Sequence, residues 1–226
     1  MPVSPLHDSP LRPPLPPIPP TLLDGKRHTR SRIAALTFDA CWAQSPSRYD
    51  ARITRILREK RVPATFFLGG KWMEHFPDAT RDLAHDPNFE IGNHTYSHPH
   101  LPRLSDAAIR DELNRTQDVQ FRLTGRQGTL FRPPFGDYNE RVVTVAASVG
   151  LKTVMWDCES GDPDPKQKSP DIIEDVLRPL HPGSILIFHI NGRGWHTAEA
   201  LPRVIDRLLA REYRLVSVSE AHTKTR

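Results

Sequence analysis

The sequence lacks any apolar run of about 18 residues or more, so we predict no membrane-spanning helix. Cysteine is scarce, because Cys41 and Cys158 are the only two and cannot form a disulfide framework. We expect two small buried residues, with a disulfide between them as the alternative, since each follows a strand-end motif. Residues 1–18 lack a basic segment followed by an apolar one, so the sequence predicts no signal peptide.

Two other absences argue against nucleotide-binding and nucleic-acid-binding functions. No glycine-rich phosphate fingerprint follows the first apolar run, which argues against a dinucleotide-binding sheet. The net charge is only +4 at a pI of about 9.3, the basic residues are scattered, and no nucleic-acid reader motif occurs. We therefore predict no nucleic-acid partner, and the sequence leaves the oligomeric state open.

Proline is abundant at the N-terminus, where it makes up nine of the first twenty residues. Such a composition cannot bury a core, so we expect residues 1–30 to form an extended or disordered tail. The rest of the chain is long enough for one complete core, and we predict a single domain over residues 31–222.

Beyond the tail, short apolar runs alternate with helical periodicity about seven times. This alternation predicts parallel strands joined by right-handed crossovers, in a barrel or, alternatively, an open doubly wound sheet. Ser105 is a predicted helix N-cap, and a helix over Val142–Val149 is expected to end at Gly150. The predicted strands are Ile33–Phe38, Ala64–Leu68, Phe89–Ile91, Thr129–Phe131, Thr153–Trp156, Ile185–Phe188 and Leu215–Val218.

Five of these runs are followed by polar residues that can do chemistry. They lead to Asp39, to His94 with His98, to Arg132, to the acid-rich segment that ends at Asp162, and to His189. Because the carboxyl ends of parallel strands meet on one face of a barrel, we expect these groups to converge on one site.

Each motif is weak when it is taken alone. Two histidines four residues apart suit a metal ion, but a chance or structural pair is about as common. Arg132, held before two prolines, can keep a carboxylate ionised or form only a surface ion pair. A lone histidine at a strand end is more often structural, and His189 becomes a credible general acid only beside a carboxylate.

Taken together and in this order, the motifs resemble the polysaccharide deacetylase family, the NodB-type carbohydrate esterases. The resemblance runs over about residues 33–220. It rests on five stretches: Thr37-Phe38-Asp39-Ala40, His94-Thr95-Tyr96-Ser97-His98, Arg132-Pro133-Pro134-Phe135, Glu159-Ser160-Gly161-Asp162-Pro163 and Leu186-Ile187-Phe188-His189.

The resemblance implies a distorted (β/α)7-type barrel and metal-dependent hydrolysis of N-acetyl groups on an amino-sugar polymer such as chitin or peptidoglycan. It implies that Asp39 is the general base and His189 the general acid. It also implies that Arg132 orients Asp39 and that Asp162 orients His189. The implied metal ligands are His94 and His98, with zinc first and cobalt, nickel, iron or manganese as alternatives.

Substrate contacts follow from the same resemblance and from the loop after His189. A backbone N–H near Phe135 is the implied oxyanion donor, and Trp195 is a candidate platform for stacking a sugar ring. The glycan substrates of the family imply a cell-envelope or extracellular location.

Several residues depart from the family pattern. Ala40 stands where the family usually has a metal-binding Asp, so the third ligand is expected to be Asp39, water or a displaced acid such as Asp50. Glu159 and Pro163 replace an Asp and a Trp, which changes the wall of the sugar groove. These departures keep two alternatives open: a glycan-binding relative without turnover, and a hydrolase of a non-sugar amide or imide.

Overall fold

The computed structural model describes residues 12–26, 29–42 and 48–223. Nine parallel strands lie within these residues, and helices cover the outer face of their sheet. The strands are β1 Leu22–Leu23, β2 Ile33–Ala40, β3 Ala64–Leu68, β4 Phe89–Asn93, β5 Leu130–Phe131, β6 Lys152–Val154, β7 Cys158–Glu159, β8 Ser184–His189 and β9 Arg214–Val216. The helices are α1 Ala51–Glu59, α2 Gly70–His75, α3 Pro77–His85, α4 Asp106–Thr124, α5 Glu140–Ser148, α6 Ser169–Leu177, α7 Thr197–Ala210 and α8 Val218–Thr223.

The sheet runs in the order β1-β6-β5-β4-β3-β2-β8-β7, and β9 pairs with the start of β2. The recorded pairs are all parallel, as expected for strands joined by helical crossovers. The predicted barrel-like (β/α) fold is therefore confirmed. Within the described residues no pairing joins the edge strands β1 and β7, so the barrel is distorted.

The central strand β2 is buried along its whole length and separates two apolar layers. Leu36, Phe38 and Ala40 face the helices, where Phe38 stacks between Phe66 and Phe188 at centroid distances of 5.3 and 5.5 Å. Side chains alternate along a strand, so Asp39 points to the opposite side, into the barrel. Because side chains alternate along the strand, Phe38 packs under the helices while its neighbour Asp39 faces the cavity.

The predicted helix start at Ser105 and the predicted helix end at Gly150 are confirmed. Ser105 caps α4 by accepting a hydrogen bond from the Ala108 N–H, and α4 ends at Gly125 with φ of +69°. Helix α5 begins two residues earlier than predicted, after the Asn139 cap, and stops before Gly150.

All seven predicted strands exist, with ends that differ by up to two residues from those predicted. The last strand ends at Val216 rather than Val218, because Val218 begins helix α8. Both cysteines are buried and neither forms a disulfide, as predicted. None of the described helices is long and apolar enough to cross a membrane.

Residues 12–26, part of the tail that was expected to be extended or disordered, contact the domain at several points. The Arg12 Nε lies 2.7 Å from Asp118 Oδ1, Leu15 packs against the α4–α5 cluster, and the Ile18 N–H donates to the Ala147 carbonyl. Strand β1 then pairs with β6. Proline favours an extended chain, and the apolar residues between the prolines supply these contacts. Residues 1–11 lie outside the described part of the chain.

Candidate active site

Asp39 and His189 are neighbours at the carboxyl ends of two central strands. They are register partners in the β2–β8 pair, so their side chains leave the sheet on the same side. The predicted convergence of strand ends is confirmed, since Asp39, His94, His98 and His189 line one cavity of about 210 Å³. A larger hollow of about 380 Å³ lies at the opposite strand ends, beneath β1, and none of the predicted site residues lines it.

Asp39 is held by a buried ion pair. Arg132 Nη1 donates to Asp39 Oδ1 at 2.9 Å and to Thr37 Oγ1 at 2.8 Å, while Nη2 donates to the Met155 carbonyl at 3.1 Å. Burial alone would raise the pKa of Asp39, but the charge and hydrogen bond of Arg132, together with His94 and His189, outweigh burial and lower that pKa below its ordinary value. Asp39 is therefore ionised at neutral pH, with Oδ2 left free toward the cavity.

His189 is held in a second pair, on the next strand. Asp162 Oδ1 lies 2.8 Å from His189 Nδ1, and Asp162 Oδ2 accepts from the His189 backbone N–H at 2.8 Å and from the Thr197 hydroxyl. Burial opposes the imidazolium, yet Asp162 outweighs it and raises the pKa of His189 above its ordinary value. The Nε2 side of a protonated ring is thus available to the cavity.

His94 and His98 lie on a tight turn after β4 rather than on a helix. His94 Nδ1 lies 2.8 Å from the Arg132 carbonyl, and Nε2 lies 3.6 Å from Asp39 Oδ2. Burial lowers the pKa of His94, and it lowers the pKa of His98 to about 3. Both rings are therefore neutral, and the Nδ1–H bond of His94 leaves its Nε2 lone pair toward the cavity.

The turn between these histidines is strained and closely held. Thr95 and His98 have φ values of +62° and +63°, which non-glycine residues rarely adopt. From helix α4, Glu112 accepts hydrogen bonds from the N–H groups of Tyr96 and Ser97 at 2.9 and 2.8 Å, and from the Ser97 hydroxyl at 2.6 Å. The Thr95 hydroxyl accepts from the His98 N–H at 3.1 Å.

The described residues do not complete a metal site of the expected kind. No group of three His, Cys, Asp or Glu side chains in the described part of the chain is arranged to hold an ion. Position 40 offers only a methyl group, which packs in the apolar layer below the helices. Asp50 does not serve as a replacement, because its carboxylate caps α1 and pairs with Arg52 at 2.6 Å. Two imidazoles therefore remain where the family pattern has three ligands.

The cavity wall is partly aromatic. Phe135, 58% exposed and with φ of +60°, packs edge-on against His98 and stacks on His100 at a centroid distance of 4.3 Å. Trp156 also lines the cavity, but Trp195 does not, although its backbone N–H donates to the Asp162 carbonyl at 3.2 Å. The proposed stacking role of Trp195 stays a prediction.

Four residues of the site were missed in the sequence. Thr37 and Thr197 hydrogen-bond Arg132 and Asp162, Glu112 holds the histidine turn, and Arg193 lines the cavity. Thr37 lies within one of the sequence motifs and Arg193 lies just after another. Their closeness to these motifs could have identified them as candidates. Glu112 and Thr197 carry no local signal, because their partners are distant in the sequence or in other elements.

Comparison with known proteins agrees with the motif order. The polysaccharide deacetylase family model matches residues 26–154. A peptidoglycan-N-acetylglucosamine deacetylase of Bacillus cereus is 32% identical over 81% of this chain and 66% of its own length. The peptidoglycan-N-acetylmuramic acid deacetylase PdaA of Bacillus subtilis is 30% identical over 85% of this chain and 72% of its own.

A solved structure adds a contrasting relative. The wild-type form of a CE4 family pseudoenzyme from Bacillus anthracis superimposes with a TM-score of 0.80 at 30% identity, covering 90% of this chain and 69% of that one. A mutant of the pseudoenzyme is described as having restored enzymatic activity.

The chain covers only part of some curated relatives, such as 58% of the uncharacterized protein YlxY of Bacillus subtilis. The family match nevertheless spans more than half of this chain, and relatives of about 30% identity extend it over most of the rest. The chain belongs to the polysaccharide deacetylase family of hydrolases.

Proposed function

We propose that this chain hydrolyses the acetamide group of N-acetylated amino sugars in a glycan such as chitin or peptidoglycan. One observation carries the proposal: Asp39 and His189 stand side by side at one cavity, and each has its own orienting partner. A site that only bound sugar would need neither the buried Arg132–Asp39 pair nor the Asp162–His189 pair. The names of the B. cereus deacetylase and of PdaA support a peptidoglycan-like substrate.

The two pairs supply complementary proton transfers. Ionised Asp39 takes a proton from a water molecule as its oxygen attacks the acetyl carbonyl carbon. Protonated His189 then gives its Nε2 proton to the sugar nitrogen as the carbon–nitrogen bond breaks. The products are acetate and a free amine. The backbone N–H of Phe135 is the proposed donor to the oxyanion.

His94 and His98 are the groups of this chain that would hold a divalent ion, zinc first among the alternatives. Two imidazoles bind such an ion weakly, so we derive no step through it. When bound, the ion would polarise the carbonyl and lower the pKa of water.

A glycan-binding relative without turnover is the second candidate. It is favoured by the methyl group of Ala40 at the expected ligand position and by the likeness to a pseudoenzyme. This candidate predicts sugar binding at the cavity without acetate release, whichever metal is added.

Acetate release from N-acetylated chitooligosaccharides and from peptidoglycan glycan strands separates the two candidates. We expect release by the wild-type chain in the presence of added zinc, and a loss of roughly 100-fold or more in His189→Ala, the usual contribution of a general acid. His85→Ala, which removes an exposed histidine on α3, is the matched control and should retain full activity. Equal rates in His189→Ala and wild type would overturn the proposal, and no release under any condition would favour the binding protein.

A further inference from the structure

The cavity wall carries one arginine that the proposed chemistry does not use. Arg193 lies in the loop after β8 and lines the cavity together with His98, His189 and Glu159. Its backbone N–H donates to Asn191 Oδ1 at 3.3 Å. No carboxylate among the described residues forms an ion pair with its guanidinium, whereas Arg132 pairs with Asp39.

Glycines on both sides of Arg193 let the loop pass close to His189, the proposed general acid. Gly192 has φ of +85°, and a Cβ there would meet the Arg48 side chain at 2.6 Å. A Cβ on Gly194 would collide with the His189 carbonyl and lie 2.9 Å from Asp162 Oδ2, so the loop passes directly against the His189–Asp162 pair. The backbone at Arg193 is therefore held beside His189, and its side chain lines the cavity in which the sugar nitrogen would meet that histidine.

The charge of Arg193 reaches the reactive groups. Burial has the largest effect on three nearby groups, raising the pKa of Cys41 and opposing the charged form of His98 and His189, and in each case the charge of Arg193 acts to lower the pKa. Glu159 also lines the wall, is exposed and forms no ion pair with Arg193 among the described residues. The wall therefore presents one cation and one anion, each without a partner among the described residues.

We infer that Arg193 selects N-acetylated amino sugars that carry a carboxylate close to the acetamide, a substrate class that rests on the function proposed above. An arginine fork binds a carboxylate through two parallel hydrogen bonds, which neutral sugars cannot offer. N-acetylmuramic acid has this chemistry, because a lactyl ether on the ring carbon next to the one that bears the acetamide carries its carboxylate. Glu159, in turn, disfavours such an anion.

Direct binding tests the inference without requiring turnover. The probes are the β-1,4-linked disaccharide of N-acetylglucosamine and N-acetylmuramic acid and the neutral disaccharide of N-acetylglucosamine. Affinities are measured by calorimetry for the wild-type chain, Arg193→Gln, Glu159→Gln and the control Arg203→Gln, which removes an exposed arginine on α7. We expect the wild type to prefer the acidic disaccharide by about tenfold, the modest gain of a solvent-exposed charged contact.

The two variants should move this preference in opposite directions. Arg193→Gln should abolish it, Glu159→Gln should increase it, and Arg203→Gln should leave it unchanged. Raising the salt concentration to about 0.5 M should shrink the wild-type preference, because exposed charges are screened. A wild type without preference, an Arg193→Gln variant that keeps it, or a shift of both variants in one direction would overturn the inference.

Failure of this inference and failure of the proposed function give different results. If the preference is present and depends on Arg193 but no acetate is released from either disaccharide, the specificity stands and the hydrolase proposal fails. If both disaccharides are deacetylated equally well and Arg193→Gln does not change their ratio, the hydrolase proposal stands and the inference fails.

Discussion

Asp39 and His189 occupy matching positions on neighbouring parallel strands, so the proposed base and the proposed acid belong to one rigid sheet rather than to facing loops. Each side chain is oriented by a hydrogen bond to a residue of a different segment. Asp39 bonds to Arg132, which follows β5, and His189 bonds to Asp162, which follows β7. The two orienting pairs can therefore be removed one at a time, and each removal has a distinct signature.

Replacing Asp162 with Asn should move the alkaline limb of the pH profile to lower pH. Asp162 raises the pKa of His189, and the acid works only while His189 is protonated, so activity falls as the pH rises through that pKa. Loss of a neighbouring carboxylate lowers such a pKa by about 1 to 3 units. The measurement is kcat/KM for acetate release against pH, with the exposed Asp164→Asn as control. The ring nitrogen resonances of His189 should show the same shift, and an unchanged titration would contradict the assignment.

Replacing Arg132 with Met should destabilise the fold at neutral pH. Arg132 is fully buried, and its loss leaves the Asp39 carboxylate buried and unpaired, at a cost of about 3 to 5 kcal/mol in the free energy of unfolding. The deficit should shrink toward acid pH, where the unpaired Asp39 becomes protonated. Urea unfolding measures it, and the double variant Arg132→Met/Asp39→Asn should recover part of the loss. Additive costs in the double variant would show that the pair is not coupled.

Replacing Ala40 with Asp should make the stability of the fold depend on the presence of zinc. Ala40 packs in an apolar layer, so a carboxylate there lowers the free energy of unfolding in the absence of metal. If the new carboxylate joins His94 and His98, the affinity for zinc should rise by more than about 10-fold. Residues that only hydrogen-bond to metal ligands already change metal affinity by about 10- to 100-fold, and a direct ligand should do at least as much. Added zinc should then restore Tm.

Calorimetric zinc titration and thermal unfolding test this prediction, with Ala40→Asn as the uncharged control. An Ala40→Asp protein that stays destabilised and binds zinc no better than wild type would show that position 40 does not reach the two histidines.

Replacing Glu112 with Gln should loosen the histidine turn. A glutamine has one acceptor oxygen for three donors, and its amide hydrogens face the N–H groups of Tyr96 and Ser97. We expect faster amide hydrogen exchange at these two residues and a shifted His98 ring resonance, with the His189 ring unaffected. Asp111→Asn on the same helix is the control. Uniformly faster exchange throughout the protein would indicate a general loss of stability instead.

The strands that carry the site were predictable because each is buried on both faces and reads as a short apolar run. Asp39, Arg132 and His189 stand at the ends of such runs, so local patterns located them. Strands β1 and β7 were not predictable, since each has two residues and exists only through pairing with β6 or β8. The partners Glu112 and Thr197 depend on contacts between distant elements, which periodicity does not encode.

The segment that contains β1 has a practical consequence for anyone preparing this protein. By pairing along β6 it covers hydrogen-bonding groups that would otherwise form an open sheet edge. The Leu23 carbonyl also accepts from the Met155 N–H, and the Met155 carbonyl in turn receives Arg132. Removing residues 12–23 to shorten the protein would therefore invite aggregation along the exposed strand and, at the same time, weaken the positioning of Arg132 against Asp39.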